Sequence, residues 1–264
     1  MMRSLWTAAS GMIGQQYNID TVSNNLSNVN TTGFKRNRAD FEDLLYQTTR
    51  TAGTPATERT LVPTPVQVGH GVKVSGSSKL FQQGSLQNTG NVTDIALEGE
   101  GFFRAIDYDG AYVYTRDGAF QIDSSGQLVT NNGLRVAPEI IMPPDFIRES
   151  VTVTEDGRVL AQIPGVDDPL QVGQIQLYRF VNPAGLNATG QNLFRQTAAS
   201  GDAIGGTPGL DGMGRTRHKF LEMSNVSVVS EMVNMIVAQR AYEMNSRAIQ
   251  TSDTMLSIAN SLKR

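Results

Sequence analysis

The chain has 264 residues, a formal net charge of −3 and no cysteine. Its length allows one or two domains with a sizeable core. The small negative charge gives no electrostatic basis for binding nucleic acid, and the lack of cysteine excludes disulfides and thiolate metal sites. We therefore expect no nucleic-acid partner.

The first segment, residues 1–33, is predicted to form one long helix. A first apolar row recurs at a spacing of seven and consists of Leu5, Met12, Ile19 and Leu26. A second row lies three positions later and consists of Ala8, Val22 and Val29. Rows at these spacings form the seam of a coiled coil. Gly33 stands where a helix C-terminus would place a glycine, and the Asn and Ser residues before it favour fraying of the last turn.

Residues 34–70 are predicted to be an irregular arm or linker. Between Thr48 and Pro65 the chain has seven threonines and three prolines and no apolar periodicity. Residues 40–46 could form a short helical turn. An irregular segment of this length is usually functional or a linker. A flexible connector and an arm that orders against neighbouring copies both stay open.

Residues 71–223 are predicted to form an antiparallel all-β domain. Short segments with a hydrophobic period of two, such as Phe102–Ile106 and Tyr112–Tyr114, recur along it. Between them lie dipeptides that favour tight turns: Asp109-Gly110, Asp117-Gly118, Ser125-Gly126, Asn132-Gly133 and Asp156-Gly157. The glycine-rich stretch from Ser200 to Gly214 is expected to be a flexible loop.

The last segment, residues 224–264, is predicted to form a second long helix. Its apolar row also has a spacing of seven and consists of Val228, Met235, Tyr242, Ile249 and Leu256. A parallel row one position earlier consists of Ala241, Ala248, Met255 and Leu262. A helix of this length is roughly 55–60 Å long, longer than a domain of this size is wide. We expect the row that begins at Val228 to face the apolar row of the N-terminal helix, either within one chain or between neighbouring copies.

Charged residues are scarce in both terminal segments. From Ser4 to Thr32 only Asp20 is charged, and from Val226 to Leu262 five residues are: Glu231, Arg240, Glu243, Arg247 and Asp253. Solvated surfaces carry roughly a quarter to a third charged residues. The outer faces are therefore expected to meet further copies of the chain, with an uncharged solvated helix as the alternative.

Together these segments predict an α+β fold. Long N- and C-terminal helices pair as a coiled coil, and an antiparallel all-β domain and an irregular arm are inserted between them. The single basic residue near the N-terminus precedes no continuous apolar stretch, so no cleavable secretory signal is expected.

No motif indicates a catalytic, cofactor or metal site. His70 and His218 lack further ligands at metal-binding spacing, and Asp107–Gly110 lacks the later ligands of a calcium loop, which favours a hairpin turn. A hydrolase with a pair of carboxylates stays open, because their separation in space cannot be read from sequence. We predict no enzymatic activity, no cofactor and no metal.

Three blocks of the sequence, at residues 24–36, 90–120 and 224–243, resemble the rod and hook family of bacterial flagellar axial proteins. The first block contributes Asn24, Asn25, Asn28, Gly33 and Phe34. The second contributes Gly99, Gly101, Phe102 and Phe103. The third contributes Gln239, Arg240 and Tyr242. Three blocks in this order cover nearly the whole chain and are more specific than any single motif.

Within the family the resemblance is to distal rod members, because the length fits and the Thr/Pro-rich arm lies where those members have an insert. The alternative within the family is a proximal rod or hook subunit. The resemblance implies a structural subunit of a hollow helical drive shaft that crosses the periplasm and transmits torque to the hook.

The resemblance also implies partners and a route of export. The partners are further copies of the chain in an open helical polymer, the proximal rod and hook proteins, and the P-ring and L-ring proteins of the basal body. Export would use the flagellar type III apparatus, without a cleavable signal peptide. A surface adhesin with a helical stalk is the alternative from a different class, and it would need an export signal or an anchor.

Overall fold

The structure is a computed structural model that describes residues 2–57, 60–144, 146–164 and 168–261. The chain divides into two compact units. The helical unit comprises the residues up to Ser27, Asn37–Ser78 and the residues from Ser227 onward. The β unit comprises Asn28–Arg36 and Lys79–Val226. The predicted row residue Leu262 lies outside the described residues.

The helical unit contains the two helices of the chain's ends, α1 (Met2–Ser27) and α2 (Val228–Ser261). α1 ends well before Gly33, so this glycine does not cap the helix as predicted. Local hydrogen bonds mark this end of the helix: the Ser27 hydroxyl donates to the Ser23 carbonyl at 2.9 Å, and the Thr31 hydroxyl donates to Asn28 Oδ1 at 3.2 Å. Neither described helix is long and apolar enough to cross a lipid bilayer.

α1 and α2 lie side by side and run antiparallel. The Ser4 and Ser252 hydroxyl oxygens are 3.2 Å apart at one end of the pair. At the other end Asn25 Nδ2 donates to Glu231 Oε2 at 3.3 Å. A step of one residue toward the C-terminus of α1 therefore corresponds to a step of one residue toward the N-terminus of α2.

The remaining part of the helical unit consists of short strands. They are β1 (Asn37–Asp43), β2 (Tyr46–Arg50), β3 (Pro55–Thr57), β4 (Thr60–Leu61), β5 (Val66–Gly69) and β6 (Val72–Lys79). β1 pairs with β6, β2 with β5 and β3 with β4. The predictions of an irregular arm and of a helical turn at residues 40–46 are therefore wrong for the described residues. β2 and most of β5 are exposed on both faces, so the hydrophobic alternation that marks a half-buried strand is absent.

The β unit contains sixteen described strands with antiparallel pairing throughout. The first eight are β7 (Leu86–Asn88), β8 (Ile95–Glu98), β9 (Phe103–Ile106), β10 (Tyr112–Thr115), β11 (Phe120–Ile122), β12 (Leu128–Thr130), β13 (Arg135–Ala137) and β14 (Thr152–Val153). The others are β15 (Arg158–Ala161), β16 (Leu170–Gln174), β17 (Leu177–Arg179), β18 (Asn187–Gly190), β19 (Leu193–Arg195), β20 (Ile204–Gly206), β21 (Arg215–His218) and β22 (Phe220–Glu222).

The largest sheet of the β unit has seven strands in the order β11-β12-β13-β9-β10-β19-β18. A three-stranded sheet (β14-β15-β16) and three strand pairs (β17-β20, β21-β8 and β22-β7) complete the unit. Four glycines of the predicted turn dipeptides have left-handed φ angles: Gly110, Gly126, Gly133 and Gly157. The central antiparallel β domain predicted from sequence is thus confirmed.

The core of the β unit is built from inward-facing side chains of several sheets. Its main cluster includes Ile95, Leu97, Phe103, Phe120 and Val136. Met213 belongs to the same cluster, and β20 pairs with β17 through Tyr178 and Gly205. The stretch from Ser200 to Gly214 is therefore partly ordered strand and core, rather than the flexible loop that its glycines predict.

Candidate assembly interface

The apolar rows predicted on α1 face inward to different extents. Ala8 and Val22 are buried. The other five predicted interface residues of this end are half-buried: Leu5, Met12, Ile19, Leu26 and Val29. Both rows therefore lie on the covered side of the segment, with the smaller residues deepest.

On α2 the predicted apolar row is less covered. Met235, Ile249 and Leu256 are half-buried, whereas Val228 and Tyr242 are exposed by 41% and 39%. In the row predicted one position earlier Ala241 is half-buried, whereas Ala248 and Met255 are exposed. The deepest row instead lies three positions after the Val228 row and consists of Glu231, Ala238, Asn245 and Ser252. We call it the polar row.

The polar row was not recognised in the sequence because only one of its four members is apolar. Glu231 is buried even though carboxylates are rarely buried unless they are paired. Its spacing is nevertheless a signal. The polar row lies three positions after the Val228 row, and the two rows together alternate at spacings of three and four, as in a heptad repeat.

Asn25 holds the end of α1 to the start of β1. Its side-chain nitrogen donates to the Asn37 carbonyl at 2.8 Å, and its side-chain oxygen accepts from the Asn37 amide at 2.9 Å. The same nitrogen donates to Glu231 Oε2. Asn25, a predicted family-motif residue, thus connects α1, β1 and α2.

Two glycines of α1 allow close approach of other elements. A Cβ at Gly11 would lie 2.8 Å from Asn245 Nδ2, so the Asn245 side chain would have to shift to admit a larger residue. A Cβ at Gly14 would lie 3.4 Å from the Phe41 ring and 3.5 Å from Val72 Cγ1, an ordinary contact distance. α1 is therefore covered by α2 on one side and by strands β1 and β6 on another.

The remaining faces of both helices expose large apolar side chains. On α1 these include Trp6, exposed by 74%, and Ile13. On α2 they are Val229, Met232, Val233, Ile236, Val237, Met244, Met255 and Ile258. Groups of exposed apolar residues on this scale are typical of surfaces that bind other proteins.

The family-motif residues just after α1 have structural roles in the β unit. Gly33 has a φ of +67°, and a Cβ there would lie 2.6 Å from the Asp117 backbone nitrogen. The Gly33 amide donates to the Glu222 carbonyl at 2.8 Å. The Lys79 ammonium lies 5.5 Å from the centre of the Phe34 ring, within range of a cation–π interaction.

The central motif, Gly99 to Phe103, is also explained by the fold. Gly99 and Gly101 have φ angles of +108° and +138°, which favour glycine. A Cβ at Gly99 would lie 2.9 Å from Gly214 Cα. Phe103 packs edge-on against Phe120 in the main core, with the ring centres 5.0 Å apart. Phe102 belongs to a second aromatic cluster, in which its ring lies 5.7 Å from that of Phe180.

Four motif residues lie on the surface. Gln239 and Arg240 are exposed on α2 beside Tyr242, and Asn24 is exposed on α1. Arg240 forms an ion pair with Glu243 on the same helix at 3.2 Å. These four motif residues therefore lie on exposed faces of α1 and α2 in the single chain.

A buried ionic cluster in the β unit escaped the sequence analysis. Lys35 Nζ lies 2.6 Å from Glu222 Oε1, and Arg116 Nη1 lies 3.4 Å from Glu222 Oε2. Neither Lys35 nor Glu222 exposes any side-chain surface. Lys35 and Arg116 also donate to the carbonyls of Gln82 and Gly99, both at 2.8 Å.

The cluster joins segments that are distant in sequence, and no local signature marks it. The Gly84 amide donates to Glu222 Oε1 at 2.9 Å, so the carboxylate accepts from three residues. Burial lowers the pKa of the Lys35 ammonium from its ordinary value of 10.5, and Arg116 lowers it further, whereas Glu222 opposes the shift. Two cations therefore share one carboxylate inside the β unit.

The described residues contain no group of three or more His, Asp or Glu side chains placed to hold a metal ion. His218 Nε2 lies 2.8 Å from the Val92 carbonyl, and His70 Nδ1 lies 2.9 Å from the Leu45 carbonyl. Asp107 and Gly110 form the turn between β9 and β10, with the Gly110 amide donating to Asp107. The sequence preference for a hairpin over a calcium loop is thus confirmed.

Three flagellar family patterns match the chain. The pattern "Flagella basal body rod protein" matches residues 5–35, which include most of α1. The pattern "Flagellar hook protein FlgE/F/G D1 domain" matches residues 96–161. The pattern "Flagellar basal body rod FlgEFG protein C-terminal" matches residues 217–262, which include α2.

Individual relatives extend this similarity to the full length. The flagellar basal-body rod protein FlgG of Borreliella burgdorferi is 60% identical over 264 residues, which is 100% of both chains. FlgG of Buchnera aphidicola subsp. Schizaphis graminum is 48% identical over 256 residues, which is 97% of this chain and 98% of that one. The flagellar hook protein FlgE of Helicobacter mustelae is 44% identical over 157 residues, which is 59% of this chain and 34% of the hook protein. The chain therefore belongs to the flagellar basal-body rod and hook family and is similar over its whole length to the FlgG rod proteins.

Proposed function

We propose that this chain is a structural subunit of the distal flagellar rod, a hollow helical shaft that crosses the periplasm and transmits torque to the hook. The observation that carries the proposal is the identity of 60% to a FlgG rod protein over all 264 residues. The hook alternative is weaker, because the matched region is 34% of the hook protein's length. The role is mechanical, and no catalytic step is assigned to it.

We place the assembly contacts on the terminal helices. Within a chain α1 and α2 would form an antiparallel coiled coil along the predicted rows, from Leu5 to Leu26 and from Val228 to Leu256. Exposed apolar side chains such as Trp6 and Ile236 would be covered by neighbouring copies. A contact between different patches of identical subunits does not close on itself and produces an open helical polymer.

The segmental organisation predicted from sequence fits this polymer. Residues 1–33 and 224–264 would supply the inner tube, and residues 71–223 the outer wall. Residues 34–70 would supply the arm. The exposed motif residues Asn24, Gln239 and Arg240 lie on the helices, so we assign them to contacts between subunits.

The arm would stiffen the shaft by contacting adjacent subunits. β2 and β5 form an antiparallel ribbon with Gln47 opposite Val68 and Thr48 opposite Gln67. A two-stranded ribbon with both faces in water is at best marginally stable. Contact with a neighbouring copy would supply the burial that the ribbon lacks in the single chain.

The remaining partners follow from this location. The proximal rod and hook proteins would meet the two ends of the distal rod, and the P-ring and L-ring proteins would surround it. Subunits would leave the cytoplasm through the flagellar type III export apparatus without cleavage of a signal peptide.

Electron microscopy of the purified chain at increasing concentration tests the polymer. The parent chain should form straight tubes, and Ile19→Asp or Ile249→Asp should form none, because either change puts an unpaired charge into the seam. Val181→Asp is the matched control, since Val181 is an exposed apolar residue of the β unit. Circular dichroism should show that the β unit stays folded in all variants. Tubes from either seam variant, or none from the parent, would contradict the proposal.

The arm is tested separately by its effect on stiffness. Deletion of residues 48–65 should lower the persistence length of the tubes severalfold while α1 and α2 still pair. A variant in which the same residues are replaced by a Gly/Ser segment of equal length separates loss of the ribbon from shortening of the loop. Tubes of unchanged straightness in both variants would exclude a stiffening arm.

A further inference from the structure

We propose that the polar row of α2 determines the register in which α1 and α2 pair. The row consists of Glu231, Ala238, Asn245 and Ser252. Its counterpart on α1 consists of Ser4, Gly11, Asn18 and Asn25. The register is a property of one chain, so it holds whether or not the chain assembles into a rod.

Three observed contacts share a single register. Ser4 meets Ser252, with the hydroxyl oxygens 3.2 Å apart. Gly11 meets Asn245, whose side-chain nitrogen lies 2.8 Å from the position of a Cβ at residue 11. Asn25 meets Glu231 through a hydrogen bond of 3.3 Å. The three α1 positions differ by multiples of seven, and so do the three α2 positions.

The same register places Asn18 opposite Ala238. Along the row, glycine then faces asparagine at one level and asparagine faces alanine at another. A large side chain therefore meets a small one at both inner levels. Asn25 and Glu231 are the one pair of large polar residues, and a hydrogen bond joins them.

The apolar rows alone cannot define this register. Leu5, Met12, Ile19 and Leu26 repeat every seven residues, and so does the row from Val228 to Leu256. A slip of seven residues brings each apolar side chain opposite the next member of the facing row. Hydrophobic burial would change little, so a polar contact is needed to separate the alternatives.

A slip in either direction breaks the Asn25–Glu231 contact. In one direction Glu231 lies opposite Thr32, which is beyond the end of α1, and Asn18 meets Asn245. In the other direction Asn25 lies opposite Ser224, which precedes α2, Glu231 meets Asn18, and Gly11 meets Ala238 and leaves a gap. The first slip removes the Asn25 amide from the buried Glu231 carboxylate, and the second is opposed by the gap at Gly11 and by loss of the Ser4–Ser252 contact. Asn25 keeps its hydrogen bonds to the main chain of residue 37 in every register.

Cysteine pairs can report the register, because the chain has no cysteine of its own. Ser4→Cys with Ser252→Cys reports the observed register, since hydroxyls 3.2 Å apart mark positions close enough for a disulfide. Ser4→Cys with Ala259→Cys or with Asn245→Cys reports a slip of seven residues in each direction. Disulfide yield is measured on the full chain by nonreducing electrophoresis, which separates intrachain from interchain products.

The test variant carries Asn25→Leu and Glu231→Leu. We expect the yield ratio of the observed-register pair to the Ser4→Cys, Ala259→Cys pair to fall at least tenfold. The thermal midpoint should also fall, because Asn25→Leu removes the two hydrogen bonds to the main chain of residue 37. Gln16→Leu with Glu243→Leu also replaces one amide and one carboxylate, at exposed positions of α1 and α2, and should leave the ratio within twofold of the parent. Glu231→Gln keeps an acceptor for Asn25 and should also retain the ratio.

Several results would overturn the proposal. An unchanged ratio in the test variant shows that the apolar rows define the register. A lower midpoint with loss of all disulfides shows that Asn25 and Glu231 only stabilise the helices. A slipped register in Glu231→Gln or in the exposed control, or disulfides only between chains in the parent, would also contradict it.

Discussion

The β unit and the helical unit differ in where they place their apolar side chains. In the β unit, large residues such as Ile95, Leu97 and Phe103 are almost completely buried. In the helical unit, Trp6 and Ile236 are mostly exposed, while buried positions of α2 include Glu231. The β unit thus has a core that stabilises a single chain, whereas the helical unit leaves apolar surface available for contacts outside the chain.

Both units bury a glutamate, but in different surroundings. Glu222 of the β unit is held by two cations, Lys35 and Arg116. Glu231 of the helical unit is hydrogen-bonded by the amide of Asn25. In the β unit two buried cations balance the carboxylate, whereas in the helical unit a neutral amide bonds it between two helices.

The largest expected effect is on the ionic cluster of the β unit. Glu222→Gln leaves Lys35 and Arg116 buried without a compensating charge, so the free energy of unfolding should fall by about 3–5 kcal/mol. Urea unfolding followed by circular dichroism measures it. The control is Glu155→Gln, which removes an exposed pair with Arg215 and should cost less than about 1 kcal/mol. Equal losses would contradict a special role for the buried cluster.

A second prediction compares apolar truncations in the two units. Leu97→Ala removes a completely buried side chain and should lower the free energy of unfolding by about 2–5 kcal/mol. Ile236→Ala removes one that is 56% exposed and should change it by less than about 1 kcal/mol. Tube formation should show the opposite order, with Ile236→Ala impairing it more than Leu97→Ala. If Ile236→Ala destabilises the single chain as much as Leu97→Ala, the contrast between the units is wrong.

A third, smaller effect is expected at the motif glycine after α1. Gly33→Ala places an alanine at a left-handed φ angle and brings its Cβ within 2.6 Å of the Asp117 nitrogen. The free energy of unfolding should fall by about 2–4 kcal/mol, with about 1–2 kcal/mol of it due to the φ angle. Gly110→Ala is the matched control, since Gly110 has a φ of +76° and no atom within 4 Å of its Cβ position. Equal costs would show that the close approach to Asp117 does not matter.

The smallest expected effect is a dependence of stability on alkaline pH. Burial lowers the pKa of Lys35 in the folded chain below 10.5. Between the lowered value and 10.5 the unfolded chain binds more protons than the folded chain, so stability should rise with pH across that window. The rise is about 1.4 kcal/mol for each unit by which the pKa is lowered.

Urea unfolding at a series of alkaline pH values measures this contribution. Lys35→Met should lose it, and Lys73→Met, which removes an exposed lysine paired with Glu42, should keep the rise of the parent. A rise of the same size in Lys35→Met would assign the effect to other groups.

The sequence predicted the features that depend on local spacing. The heptad rows located both helices, and Asp-Gly and Asn-Gly dipeptides such as Asp109-Gly110 located hairpin turns of the β unit. The exposed ribbon of β2 and β5 was not predicted, because a strand with no buried face shows no alternation of apolar and polar residues. The motif residues Gly33 and Gly99 were recognised from the family resemblance. The structure shows why glycine is required at both positions: each lies close to backbone atoms of a distant segment.

The features that escaped the sequence analysis depend on distant pairs. Lys35 and Glu222 are far apart along the chain, and a lysine in a loop ordinarily indicates an exposed position. Glu231, Asn245 and Ser252 lie on a helix where polar residues ordinarily indicate the solvent face. Only their partners on α1 show that this face is covered.

The two hydrogen bonds between the Asn25 side chain and the main chain of residue 37 limit how this part of the chain can vary. Both hydrogen bonds reach the main chain of residue 37, so they do not depend on which side chain stands there. What they do depend on is the number of residues between the two positions. Insertion or removal of one residue would turn β1 over and present its opposite face to α1. Evolution can therefore change the side chain at position 37 more easily than the length of the segment that precedes it.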